Sequence, residues 1–575
     1  MRIKHFFGLA VLAAMTASCS SNNDLVGGGN GSGENVSGES YASFSINLPT
    51  TRGTRADGDL TFDKGDATEY DVFNATLLVF KKGTTAGEGN YTLAEKVDLG
   101  SMEPWKNPSE TGVTTQAKIT AKLSNVDKSG DYFALVLLNN GSGADAKVNL
   151  PADGTTTTYS AWNKADNANY TNFTDTKKGF YMANAPLYNA TDKSVTTLVA
   201  IDKSKIFPTE AQASSGEAAA DIYVERGLAK VTLTTATKYE DVGGSTYVGD
   251  KVKISNWALD VTNKKTFPIH NVDGLTEDYA AIWNNNAATT PGASNQRFVD
   301  NNESTKAKRV YWGVDPNYKE NALCDVAGTT AREENFNYIK KEKLTAKPTD
   351  PLYCLENTFN LENMKQGQTT RVIFKASYTP KDFTASDGKT FYKIGTSVAL
   401  WKQKDLEDHI KAAVSKVFSV TTTDDITINL AAQDNNITTA GNHVITAANF
   451  TVKGHDVITK AEEKAVNDKV GLTEKAGIST YANGESYYIA RIKHFGDALT
   501  PWNSGETYND NLKYLGRYGM LRNNWYELNV QSVSGPGYPD VPDVKPNTPD
   551  DEDDKYIKVS VKILDWAKRT QNVDL

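Results

Sequence analysis

Few side chains in this 575-residue sequence are placed to do chemistry of their own. His270, His409, His443, His455 and His494 are scattered, with no HExxH run and no close pair, so they read as surface or packing residues. There is no GxSxG elbow and no Walker loop. The stretch from Gly244 to Lys251 is a near-miss, with Asp250 where the phosphate-binding lysine is needed. Cys324 and Cys354 lack CxxC spacing; a disulfide between them and two free buried thiols both remain open. The acids Asp57, Asp59, Asp63, Asp66, Glu69 and Asp71 lack EF-hand spacing and read as a solvated acidic stretch rather than a calcium site. No catalytic residues, metal site or cofactor are expected, and the chain does not read as an enzyme.

Two places instead invite chemistry from outside. Arg2 and Lys4, the apolar run 6–15 and the small residues Thr16-Ala17-Ser18 lead to Cys19. The apolar run is too short for a permanent span. The pattern resembles a relaxed bacterial lipoprotein box, in which the Cys19 thiol receives lipid. A Gly-, Asn- and Ser-rich leash over residues 22–40 would hold a folded body off a membrane. The second place is Arg52 and Arg55, in a Pro- and Gly-punctuated stretch that a trypsin-like protease can cut.

The elements around these positions come in a pair. Ala42, Phe44, Ile46 and Leu48 alternate with Tyr41, Ser43, Ser45 and Asn47, the period of a strand with one apolar face. At the far end Ile557, Val559, Val561 and Ile563 repeat that pattern. Before them, residues 535–554 hold five prolines and seven acids, which reads as a stiff acidic spacer unable to join a core. A net charge of −9 argues against a nucleic-acid partner. Between the ends, strand-like runs at 72–80, 116–123, 132–138, 222–235, 252–261, 371–378, 487–495 and 525–533 are separated by Thr-, Asn- and Gly-rich turns, which suggests antiparallel sandwiches. Helical patterns interrupt at 406–417 and 457–470.

Several runs together resemble the fimbrillin superfamily of Bacteroidetes, the major (stalk) subunits of type V pili. They are the Cys19 box, the strand and arginines between Phe44 and Arg55, the run Ile222-Tyr-Val-Glu-Arg-Gly-Leu-Ala-Lys-Val231, and the run Arg309-Val-Tyr-Trp-Gly-Val-Asp-Pro-Asn-Tyr318. Tyr353-Cys-Leu-Glu-Asn-Thr-Phe359 and Arg522-Asn-Asn-Trp-Tyr-Glu-Leu528 complete the set. The resemblance implies a mostly β chain with two antiparallel, transthyretin-like β-sandwich domains and a few short helical insertions. Its parts would be a signal peptide (1–18), a lipidated tether and removable leader strand (19–55), domains at 56–216 and 217–534, the spacer (535–554) and a C-terminal donor strand (555–575). It implies an outer-membrane lipoprotein precursor cut by an arginine-specific surface protease, at Arg55 with Arg52 as the alternative. Removal of Phe44, Ile46 and Leu48 would leave a groove for Ile557, Val559, Val561 and Ile563 of another copy. The partners are further copies, accessory, tip and anchor subunits, and the outer membrane; the product is a surface fimbria that supports adhesion and biofilm formation. A tip or accessory fimbrial adhesin and a surface glycan-binding lipoprotein are the alternatives.

Overall fold

The structure is a computed structural model that describes residues 40–49, 67–102, 113–153, 156–189, 194–234, 241–273, 310, 312–319, 330–473, 476–495, 497, 500–503, 505–508, 512–551 and 557–565. The chain is mostly β with few helices.

The first layered region is built from β1 (Ser40–Pro49), β2 (Ala75–Lys81), β3 (Thr92–Gly100), β4 (Val113–Leu123), β5 (Tyr132–Leu138), β6 (Met182–Asn184) and β7 (Ala220–Arg226). Their order is β3-β2-β5-β6-β7-β1-β4, antiparallel throughout except for the β1–β7 pair. Residues 220–223 of β7 pair with β1 and residues 224–226 with β6, so one strand passes between two layers. Phe44, Ile46, Leu77, Val79, Val136 and Ile222 fill the space enclosed. Leu78, Phe80, Leu135 and Leu137 face the other way and are covered by Tyr159, Trp162, Phe173 and Tyr181. Burial on both faces explains the unbroken apolar runs of β2 and β5, where alternation would otherwise be expected.

At Gly227 the chain changes sheets. β8 (Leu228–Thr234) lies between β10 (Leu352–Leu355) and β13 (Asn524–Val533), and β14 (Ile557–Asp565) adds the outer edge. The facing sheet is β9 (Lys251–Asp260), β11 (Arg371–Thr379) and β12 (Glu485–Arg491). Val231, Trp257, Phe374, Tyr488, Leu528 and Val530 make the core between them.

A separate small core sits in the connection from β11 to β12. There α1 (Gln403–Phe418) buries Leu406, Ile410, Ala413 and Val414 against Val466 and Val470 of α2 (Lys460–Val470) and against Ile426, Phe450 and Ile478. The apolar face expected at 406–417 is there, with Val417 at its margin. The second helix begins at Lys460, not 457, because Thr459 and Glu462 form a reciprocal capping box. An insertion with its own core is more than the short helical interruptions expected.

The interior runs converge at the change of sheets. His270 Nδ1 lies 2.7 Å from Glu225, Arg522 pairs with Glu356 at 3.3 Å, and the Arg226 amide donates to Asn523. Thr358 donates its amide to Asp315. A Cβ on Gly313 would fall 2.3 Å from His270 Nε2, so only glycine fits beside this network. These runs are therefore a buried polar junction. Cys354 is buried and free, while Cys324 lies outside the described residues.

Candidate functional site

β1 is an internal strand, and this decides what its loss would do. Its amides and carbonyls are matched on one side by β4, from Ser40 opposite Leu123 to Leu48 opposite Thr115. On the other side Phe44 to Asn47 run parallel to Ala220 to Tyr223. Phe44 and Ile46 are fully buried and Leu48 nearly so. Burying these three stabilises the region by about 5–9 kcal/mol. The face expected to be polar and open is also closed: Ser43 donates to the Ala213 carbonyl at 2.7 Å, and Asn47 reaches the Asp221 carboxylate at 2.5 Å. Helix Glu210–Ser215 covers Ser43 and Asp221 of β7 covers Asn47, and Tyr41 exchanges two backbone bonds with Phe207 in the loop before the helix.

The chain is pinned again at Glu69. Glu69, expected as a solvated acid, is almost wholly buried. Its carboxylate meets Lys230 Nζ at 2.6 Å and accepts from the Tyr353 hydroxyl at 2.6 Å, while its carbonyl accepts from Arg226 Nε at 2.7 Å. Lys230 also sits 4.1 Å over the Trp525 ring. A buried acid needs such partners. A backbone cut between Pro49 and Glu69 would free β1 at one end and leave the body tied down at the other.

The C-terminal segment departs from expectation. Residues 535–551 do not stand clear of the body. Tyr488 and Tyr481 donate to the carbonyls of Gly535 and Gly537, Arg371 donates to that of Pro542, and Tyr538 exchanges backbone bonds with Tyr487. Gly537 has φ +65°, and a Cβ there would lie 2.5 Å from the Tyr487 carbonyl oxygen. Prolines lack donors but still offer carbonyls, and the body supplies the matching donors.

The acids are held likewise. Asp551 takes Arg517 Nε and Nη2 in a fork, 2.7 Å each, and accepts from Tyr508 and Tyr518 at 2.8 Å each. Asp550 is fully buried, paired with Arg491 at 3.2 Å and accepting from Thr369 at 2.5 Å. Burial pushes the Asp551 carboxyl up, but the Arg517 pair and the tyrosine bonds outweigh it and hold it below the ordinary carboxylate value. The acidic count missed the arginines because they are far away in sequence.

β14 then pairs antiparallel with β13 of its own chain, Ile557 opposite Val533 and Asp565 opposite Asn524, with an irregularity between Val530 and Ser532. It is the outermost strand of its sheet. The expectation of a strand held away from its own body is corrected: Ile557, Val559, Val561 and Ile563 lie in a strand with a resting place in cis. Phe44, Ile46 and Leu48, expected as leader residues, are brought into one core, whereas Cys19, Arg52 and Arg55 lie outside the described residues. Sequence reasoning missed Glu69 and the pair Asp551–Arg517; the only local signal was an acid flanked by otherwise structural segments. Among the described residues no group of three or more His, Cys, Asp or Glu could hold a metal, and no helix is long and apolar enough to cross a membrane.

Residues 479–572 match the family model described as major fimbrial subunit protein type IV, fimbrillin, C-terminal. No curated protein matches the chain. Among solved structures, a candidate cell-adhesion protein of Parabacteroides distasonis is 10% identical, with 92% of this chain and 98% of that one covered and a TM-score of 0.35. A fimbrial assembly protein of the same species is 13% identical, with 62% and 89% covered and a TM-score of 0.25. At these TM-scores neither likeness defines the fold. The family match is more specific, because its span holds β12, Arg491, Arg517, the tied-down linker and β14. Over residues 479–572 the chain is thus similar to the C-terminal region of the fimbrillins.

Proposed function

We propose that this protein is a structural subunit of a surface fimbria that polymerises head to tail by protease-triggered strand exchange, supporting adhesion and biofilm formation. Lipid on Cys19 would anchor the precursor to the outer membrane, and an arginine-specific surface protease would cut after Arg55, or after Arg52. The cut frees β1 at one end, and β14 of another copy leaves β13 and displaces β1 from the groove between β4 and β7. Donor and groove lie on different surfaces of each copy, so the contact propagates as a filament. The observation that carries this reading is the internal position of β1: its loss exposes two strand edges and an apolar floor together. Each layered region would be a transthyretin-like sandwich, with the division placed at 217. The hand-over at Gly227 supports a division near that point.

The test is a chain ending at Asp554, which keeps the groove and lacks the donor. It should give no heat-labile ladder on gels of surface extract, whereas the full chain should give one that collapses on boiling. Fibres of normal length from the truncated chain would overturn the reading. Replacing both arginines, Arg52→Ala with Arg55→Ala, should leave uncut precursor on the cell and reduce fibres at least tenfold by electron microscopy. Assembly of the uncut double variant would remove the processing step.

The pairing of β14 in cis favours a second reading, a tip or accessory adhesin whose own strand is never donated. Immunogold label confined to fibre ends, rather than spread along the shaft, would select it.

A further inference from the structure

Beyond assembly, the first layered region carries an open cavity of about 400 Å³ on its surface. Lys147 lines it, only 3% exposed, with its ammonium donating to the Asn139 and Gly179 carbonyls at 3.2 and 2.7 Å. Among the described residues no carboxylate stands within ion-pair distance of that nitrogen. Asp175 faces it from farther off, and Lys178, nearby, is paired with Asp145. A buried cation without a counter-charge is costly unless something supplies one. Lys147, Lys177 and Lys178 against Asp145 and Asp175 make the lining cationic on a chain of net charge −9.

The rim adds an apolar surface. Phe73 is 49% exposed, among the few large exposed hydrophobics. It is held against Gly179, where φ is +83° and a Cβ would come 2.9 Å from the ring and 2.4 Å from the Asn139 amide nitrogen. Asn139, itself left-handed at φ 58°, accepts from the Phe73 amide and donates to the carbonyls of Asp71 and Phe180. The ring is thus presented by a fixed frame. A flat apolar face beside a cation and amide groups suits a sugar ring bearing a carboxylate, with the ring's C–H face on Phe73 and its anion directed to Lys147.

We propose that this cavity binds a saccharide carrying a carboxylate, such as a uronic acid residue. The site does not need filament assembly, so it can be tested on the uncut monomeric chain. Isothermal titration with D-glucuronate, D-glucose and acetate separates the contributions. The full chain should bind glucuronate at least about tenfold more tightly than either glucose or acetate. Phe73→Ala should remove glucuronate binding. Lys147→Gln should bring glucuronate down to the level of glucose; if that variant melts early, Lys177→Gln with Lys178→Gln, at the exposed lip, should weaken glucuronate and leave glucose unchanged. No binding of glucuronate, equal binding of glucuronate and glucose, acetate as tight as glucuronate, or binding indifferent to Phe73→Ala would each overturn the proposal.

Discussion

A chain of residues 56–554, stripped of both terminal strands, is expected to lose its first core and to recover it when a peptide of residues 555–569 is added. Phe44, Ile46 and Leu48 contribute about 5–9 kcal/mol by burial, comparable with the whole stability of an ordinary domain. Their loss also strips backbone partners from β4 and β7. Calorimetry should show the first layered region melting at least 15 °C below the second, with Tm rising as peptide is added in excess, as for any ligand that binds only the folded state. A peptide carrying Val559→Asp and Val561→Asp should have no effect, since charges would enter an apolar floor. The idea fails if the stripped chain melts like the full one, or if both peptides act alike. The size of this term also means that, on the proposed mechanism, a cut alone would not eject β1: an incoming strand would have to replace what β1 provides.

How far the sequence carried these conclusions depended on where the partners lie. Alternation at 42–48 and 557–563 marks two strands because side-chain direction along a strand is local. The cover over Ser43 and Asn47 was not legible, since it comes from Ala213 and Asp221, about 170 residues away. The acidic segment misled for the same reason. Composition describes a segment by its own charges, and Asp550 and Asp551 are decided by Arg491 and Arg517 on other elements. Glu225, Glu356, Asp315 and Arg522 were visible as parts of runs, yet only their meeting at Gly227 gives them a role in joining two sheets. The cavity beside Phe73 had no sequence signature: Asn139, Lys147 and Gly179 form no motif.

The remaining large effect concerns the root of β14, the proposed donor strand. Asp551 is tied to Arg517, and six residue steps separate it from Ile557, a reach of at most about 20 Å. The clamp therefore sets where β14 can go, and on the proposed exchange a groove must come within that radius to receive it. Asp551→Ala should free the linker: Arg517 then keeps only the exposed-side Asp497, 2.6 Å from its Nη1, and losing the buried fork costs up to about 3–5 kcal/mol. Amides of Tyr538, Thr548 and Asp551, bonded in the folded chain, should then exchange hydrogen about 100-fold faster or more.

Acid should act in the same direction. Because the folded Asp551 value is depressed, its contribution is complete above the ordinary aspartate value near 3.9 and is lost as pH falls through the lower folded one. Exchange in the linker should be steady from pH 5 to 7, after correction for intrinsic rates, and accelerate below about pH 4. Asp551→Asn, which removes the charge at constant shape, should reproduce the acid behaviour at pH 7. Unchanged protection in Asp551→Asn would mean that the side-chain bonds from Tyr488, Tyr481 and Arg371 to the carbonyls of Gly535, Gly537 and Pro542 hold the linker without the clamp. A weakened clamp with normal protection at Tyr538 would confine its influence to the last turn before β14. In either case the aim of the donor strand would have to come from the neighbouring copy that receives it.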